Sequence, residues 1–88
     1  MNLVPRIICK DGTSLSVQAS ETHYCTPRDN GGDYYQKEVG YIKDVDNKAL
    51  VPPDSWRTFA DGVFPSDVYG YVPTTLIEEF IEAHGGAK

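Results

Sequence analysis

A chain of 88 residues carrying a net charge of −5 has room for one modest core and none for two. The acids are spread along it, which argues against sequence-independent binding to DNA or RNA, where phosphate neutralisation by Lys and Arg supplies most of the affinity, so no direct nucleic-acid binding is expected. No apolar run approaches the roughly 18 residues a membrane helix needs. Six of the ten aromatic residues are tyrosines, which pack a ring while keeping the hydroxyl wet.

Met1 to Arg6 does not read as a secretory signal, since Arg6 comes early and no long apolar stretch follows. The chain is therefore expected in the cytoplasm, with Cys9 and Cys25 as thiols. Residues 3–20 predict a β-hairpin. Asp11-Gly12 lies between two strand-like runs, and glycine accepts the positive φ of a tight turn. Thr13, Leu15, Val17 and Ala19 alternate with Ser14, Ser16, Gln18 and Ser20, the pattern of a strand with one wet face. Glu21 to Asp33 reads as a loop, rich in turn formers.

Residues 34–42 predict a third strand, with Tyr35, Val39 and Tyr41 on one face and Gln36 and Glu38 on the other. Gly40 marks a bulge or a close backbone approach. Residues 44–66 are long for a connection without structure of its own, so a short strand, a helical turn or a functional loop is expected there. Asp54-Ser55-Trp56-Arg57, after two prolines, suits one helical turn. Residues 67–72 predict a fourth strand, with Val68 and Val72 on one face and Tyr69 and Tyr71 on the other.

Residues 73–84 predict a helix. Leu76, Ile77, Phe80, Ile81 and His84 recur at helical spacing, and Glu78, Glu79 and Glu82 fall outside that stripe, the first two near the positive helix start. Thr75 with Glu78 fits a capping box, while Pro73 fits a first-turn position. Gly85-Gly86 supplies a left-handed stop. The fold class is α+β: a small antiparallel sheet of about four strands with one C-terminal amphipathic helix packed on it.

Residues able to carry chemistry are few. Cys9, His23, Cys25 and His84 are soft ligands, but His23 and Cys25 have one residue between them, too few for a zinc knuckle, so no metal or other cofactor is expected. Cys25 with His23 or His84 lacks the electropositive setting a reactive thiolate needs. Asp44, Asp46 and Asn47 resemble part of a calcium loop, yet Ala49 and Ser55 stand where its glycine and glutamate belong. His84 reads as a histidine at the core edge, its proton favoured by the helix end. No catalytic residue is assigned. Trp56 is either folded over the core or kept as a binding anchor.

The order Ile8-Cys9-Lys10-Asp11-Gly12, Ser16 to Ser20, His23 to Arg28, Val68 to Pro73 and His84-Gly85-Gly86 resembles small uncharacterised proteins of bacteriophages and prophages. The resemblance covers most of the chain except 44–66. It implies an accessory product that acts in the bacterial cytoplasm. In size and charge it is similar to inhibitors of host defence such as anti-CRISPR proteins. The expectation is a non-enzymatic protein that binds a host or phage macromolecule, a protein partner first, through Trp56, Arg57, Phe59, Phe64, Tyr34 and Tyr35. The alternative is an acidic nucleic-acid mimic using Asp29, Asp33, Asp44, Asp46, Asp54 and Asp61. A metal or thiol enzyme built on Cys9, His23 and Cys25 ranks third.

Overall fold

The computed structural model describes residues 5–19 and 36–88. Their elements are β1 (Ile7–Ile8), β2 (Ser14–Gln18), β3 (Gln36–Lys43), a 3-10 turn (Asp54–Phe59), β4 (Val68–Pro73) and α1 (Thr74–Ala83). The four strands form one antiparallel sheet in the order β1-β2-β3-β4, each beside its neighbour in sequence. The α+β class follows directly. The expected loop over Glu21 to Asp33, the first residues of the third strand, and Tyr34, Tyr35, His23 and Cys25 lie outside the described residues.

The first hairpin turns as its residues dictate. The Cys9 N–H donates to the Thr13 carbonyl at 2.7 Å, and the Asp11 carboxylate accepts the Thr13 N–H at 2.9 Å. Gly12 has a φ of 95°, and a Cβ there would stand 2.5 Å from Val45 Cγ2. Both the backbone and the space therefore require glycine. Thr13, Leu15 and Val17 are buried, as the alternation demands. The alternation fails at the strand's end: Gln18, expected on the wet face, is buried and its amide donates to the Ser16 hydroxyl, while Ala19 is half-buried.

Two bulges alter the faces expected for β3 and β4. Between the pairs Ser16↔Gly40 and Ser14↔Lys43, β2 contributes only Leu15, whereas β3 contributes Tyr41 and Ile42. Tyr41 takes up the extra residue at φ 52° and is 52% exposed, and Ile42 enters the core in its place. The expected partnership of Val39 with Tyr41 is thereby corrected. On β4, Gly70 and Tyr71 together stand opposite Glu38, with Tyr71 at φ 57°. Tyr69 and Val72 consequently both face the core, and Tyr71 is 37% exposed. Each bulge carries a tyrosine in the left-handed region directly after a glycine.

The helix begins at Thr74 with Pro73 as its N-cap, and no side chain caps it. The Thr75–Glu78 capping box does not form, because the helix starts too early for Thr75 to precede it. No acid stands in the first turn either, so Glu78 and Glu79 lie farther from the helix start than expected. Ile77 and Phe80 are buried, with Leu76, Ile81 and His84 half-buried beside them, and Glu78, Glu79 and Glu82 are exposed. At the other end, the Gly86 N–H donates to the Ile81 carbonyl at 2.9 Å and the Gly85 N–H to that of Glu82 at 3.1 Å. These satisfy carbonyls the last turn leaves open, and both glycines have positive φ. The core lies between one sheet face, α1 and the 3-10 turn.

Candidate contact surface

The stretch 44–66 conceals ordered structure. Lys43 bridges Ala49, and Ala60 bridges Tyr69, so the chain leaves β3 and returns to lie beside β4. Trp56, in the 3-10 turn, is 1% exposed and packs edge-on to Tyr69 with ring centroids 5.7 Å apart. Its other ring neighbour is Phe80 of α1, at 5.5 Å. Of the two readings open for Trp56, the core position is the one adopted. As a partner contact it is corrected: a side chain so enclosed offers a partner almost no surface.

The residues around Trp56 face outward. Arg57 pairs with Asp54 at 2.7 Å and lies 4.6 Å from the centroid of the Phe64 ring. Phe64 in turn packs edge-on against Tyr69 at 6.3 Å. Phe59 and Phe64 are half-buried, and Val63 is 82% exposed. Phe59, Thr58, Ala60 and Asp61 form one side of an open depression of about 270 Å³; Gly70 and Tyr71 form the other. Arg57, Phe59 and Phe64 thus lie on one segment with exposed Val63, and Tyr71 of β4 meets Phe59 across the depression; neither Val63 nor Tyr71 was singled out by sequence reasoning. The double occurrence of Gly-Tyr was the available signal for Tyr71.

Hydrogen bonds fasten this segment at several points. The Asp61 N–H donates to the Val68 carbonyl at 2.9 Å, and the Ser66 hydroxyl to the Asp61 carbonyl at 3.0 Å. The Tyr69 hydroxyl accepts the Ser66 N–H at 3.0 Å. The buried tyrosine thereby satisfies its one polar atom inside the molecule.

The acids proposed for nucleic-acid mimicry are only partly free for it. Asp44 accepts the N–H groups of Asp46 and Lys48 at 2.8 and 3.0 Å, and Asp54 is paired with Arg57. Asp46 and Asp61 are exposed, and Asp29 and Asp33 lie outside the described residues.

His84 is the residue whose surroundings sequence reasoning missed. Its Nδ1 stands 2.6 Å from Asp11 Oδ2 and 3.1 Å from Thr13 Oγ1. A carboxylate only accepts, so the proton is assigned to Nδ1. The Thr13 N–H bond, followed by the His84 contact, holds the Asp11 carboxyl below its ordinary pKa. Cys9 is fully buried, and burial followed by the nearby Asp11 charge pushes its thiol pKa up, the opposite of what a nucleophile needs. Among the described residues no three His, Cys, Asp or Glu side chains converge as a metal site, and no helix is long and apolar enough to cross a membrane. Compared with known proteins, the chain matches no family model, no curated protein and no solved structure.

Proposed function

We propose that this protein acts without catalysis, by binding a macromolecular partner through the outer face of the Asp54–Phe59 turn and the chain that follows it. The observation that carries this reading is the outer face of this segment, on which Arg57 pairs with Asp54 and lies over the Phe64 ring, while Phe59 and Tyr71 line an open depression and Trp56 of the same turn packs into the core. Arginine and aromatic side chains concentrate binding energy, and a surface already rigid loses little entropy on contact. Asp61 at the rim and the net charge of −5 suit a partner with basic groups around an apolar projection.

The resemblance to phage and prophage proteins makes a protein in the bacterial host cytoplasm the partner of choice, with inhibition of a host-defence component as the outcome. Nucleic-acid mimicry is the weaker reading, since two of its four described acids are engaged within the molecule. The test begins with affinity capture from bacterial lysate, followed by titration of the purified partner with the parent, Arg57→Ala and Phe59→Ala proteins. The reading expects both variants to bind at least about tenfold more weakly, the loss typical of an interface anchor, with Arg57→Ala melting near the parent and Phe59→Ala, whose ring packs partly against the core, melting lower but still folded in the assay. Parent-like affinity in both variants rejects it. Affinity that collapses between low and moderate salt, with neither variant affected, favours mimicry.

A further inference from the structure

Arg57 shows how an arginine is held on this surface. Its guanidinium carbon lies 4.6 Å from the centroid of the Phe64 ring, and its Nε and Nη2 both donate to Asp54 Oδ1, at 3.2 and 2.7 Å. A ring and a carboxylate together suit a guanidinium, whose flat face stacks while its edge donates. The depression that begins at the next residue, Thr58, presents the same two kinds of partner: Phe59 and Tyr71 line it, with Asp61 beside them. No Lys or Arg lines it, and among the described residues no cation pairs with Asp61. We propose that this depression receives an arginine side chain of the protein partner. The assignment rests on the contact surface proposed above, and makes the partner's apolar projection and basic group one side chain.

The backbone sets Asp61 beside the rings. Ala60 is extended, at φ −61° and ψ 133°, so the side chains of Phe59 and Asp61 leave the chain on the same side. The Asp61 N–H donates to the Val68 carbonyl and its own carbonyl accepts from Ser66, which fixes the backbone while the residue stays exposed. Across the depression Gly70 contributes no side chain, and the bulge turns Tyr71 outward to 37% exposure. At about 270 Å³ the depression is smaller than the roughly 300–1,000 Å³ of sites for drug-sized ligands, which suits one inserted side chain. Arginine fits better than lysine, because an ammonium neither stacks flat nor donates from a fixed fork. The net charge of −5 draws such a group toward the surface.

Arg57 does not line the depression, so the partner titration with Arg57→Ala tests the contact surface independently of the arginine site. For that site the probe is N-acetyl-L-arginine amide, titrated into the intact isotope-labelled protein and followed by NMR. The control is N-acetyl-L-citrulline amide, in which a neutral urea of the same shape replaces the guanidinium. The amide signals of Asp61, Gly70 and Tyr71 are expected to shift saturably with the arginine derivative. The citrulline derivative is expected to bind about two- to fivefold more weakly, the range for one exposed ion pair. Asp61→Asn keeps the backbone bonds and is expected to melt like the parent, with that preference gone. Asp46→Asn, which removes an exposed acid outside the depression, is expected to retain it. No saturable shift of the three amides overturns the proposal. So does equal affinity for the two derivatives, or a folded Asp61→Asn protein that prefers arginine as the parent does. A preference lost equally in Asp46→Asn also overturns it, because net charge and not this depression then selects the arginine.

Discussion

The two edges of the sheet are closed by different physical means. At the β1 edge the chain beyond α1 returns as a short polar seam. Lys10 N–H donates to the Gly86 carbonyl at 2.9 Å, Lys88 N–H to that of Ile8 at 2.7 Å, and Asp11 holds His84. At the β4 edge the returning chain makes one bridge, Ala60 to Tyr69, and leans on rings: Phe64 on Tyr69, Tyr69 on Trp56, Trp56 on Phe80. Exposed hydrogen bonds exchange readily with water and contribute little net stability, whereas buried aromatic surface is lost only when the core opens. The aromatic edge is therefore expected to open only with the global fold, and the polar edge locally. That asymmetry would bear on function, because the proposed contact ledge sits on the aromatic edge.

The largest effects are expected where the aromatic edge meets the helix. Trp56→Ala and Phe80→Ala each remove a large buried ring, at a cost of about 3–5 kcal/mol. Against a total of roughly 5–15 kcal/mol for a native domain, either change leaves the chain barely folded. Urea unfolding checks this, and a midpoint for either variant close to the parent's places the stabilising core elsewhere. Gly12→Ala comes next. It forces a side chain into positive φ and against Val45, and is expected to cost about 1–3 kcal/mol in the same measurement. A smaller change of opposite sign is expected for Tyr41→Asn. Asparagine tolerates the left-handed region that exposed Tyr41 occupies at φ 52°, so stability is expected to rise by about 0.5–1 kcal/mol. A loss of stability in its place means that the tyrosine ring outweighs the backbone strain.

The polar edge is expected to show itself through acid sensitivity. Asp11 has its folded pKa held below the ordinary value, so its contribution is present above the unfolded carboxylate pKa near 3.8 and is lost as pH falls through the lower folded value. Asp11→Asn is expected to flatten the part of the acid-denaturation curve that lies below that pH. An unchanged curve removes Asp11 from the seam.

The difference between the edges also explains what was legible in the sequence. The hairpin was legible because Asp11-Gly12 acts within four residues, and α1 because its stripe recurs within one helix. The helix stop at Gly85-Gly86 is equally local. The bulges were half legible: Gly40 drew attention, while Gly70 in the same Gly-Tyr setting did not. A bulge depends on which residues face it across the sheet, and a single strand does not contain that register. Asp11 and His84 stand 73 positions apart and share no pattern that periodicity could detect. Trp56 was readable as core or as anchor because both uses select the same residue. Only the return of the chain beside β4 decides between them.

Native-state amide hydrogen exchange tests the contrast between the edges most directly. The Asp61 N–H, bonded to Val68 at 2.9 Å, reports the aromatic edge; the Lys88 N–H, bonded to Ile8 at 2.7 Å, reports the polar one. Bond length alone ranks Lys88 as the better protected. The closure by rings predicts the reverse: Asp61 exchanging only with global unfolding, and Lys88 at least about tenfold less protected through local opening. Lys88 protected as strongly as Asp61 contradicts the account, because the two edges then open together and the ledge carrying Arg57, Phe59 and Phe64 has no special rigidity.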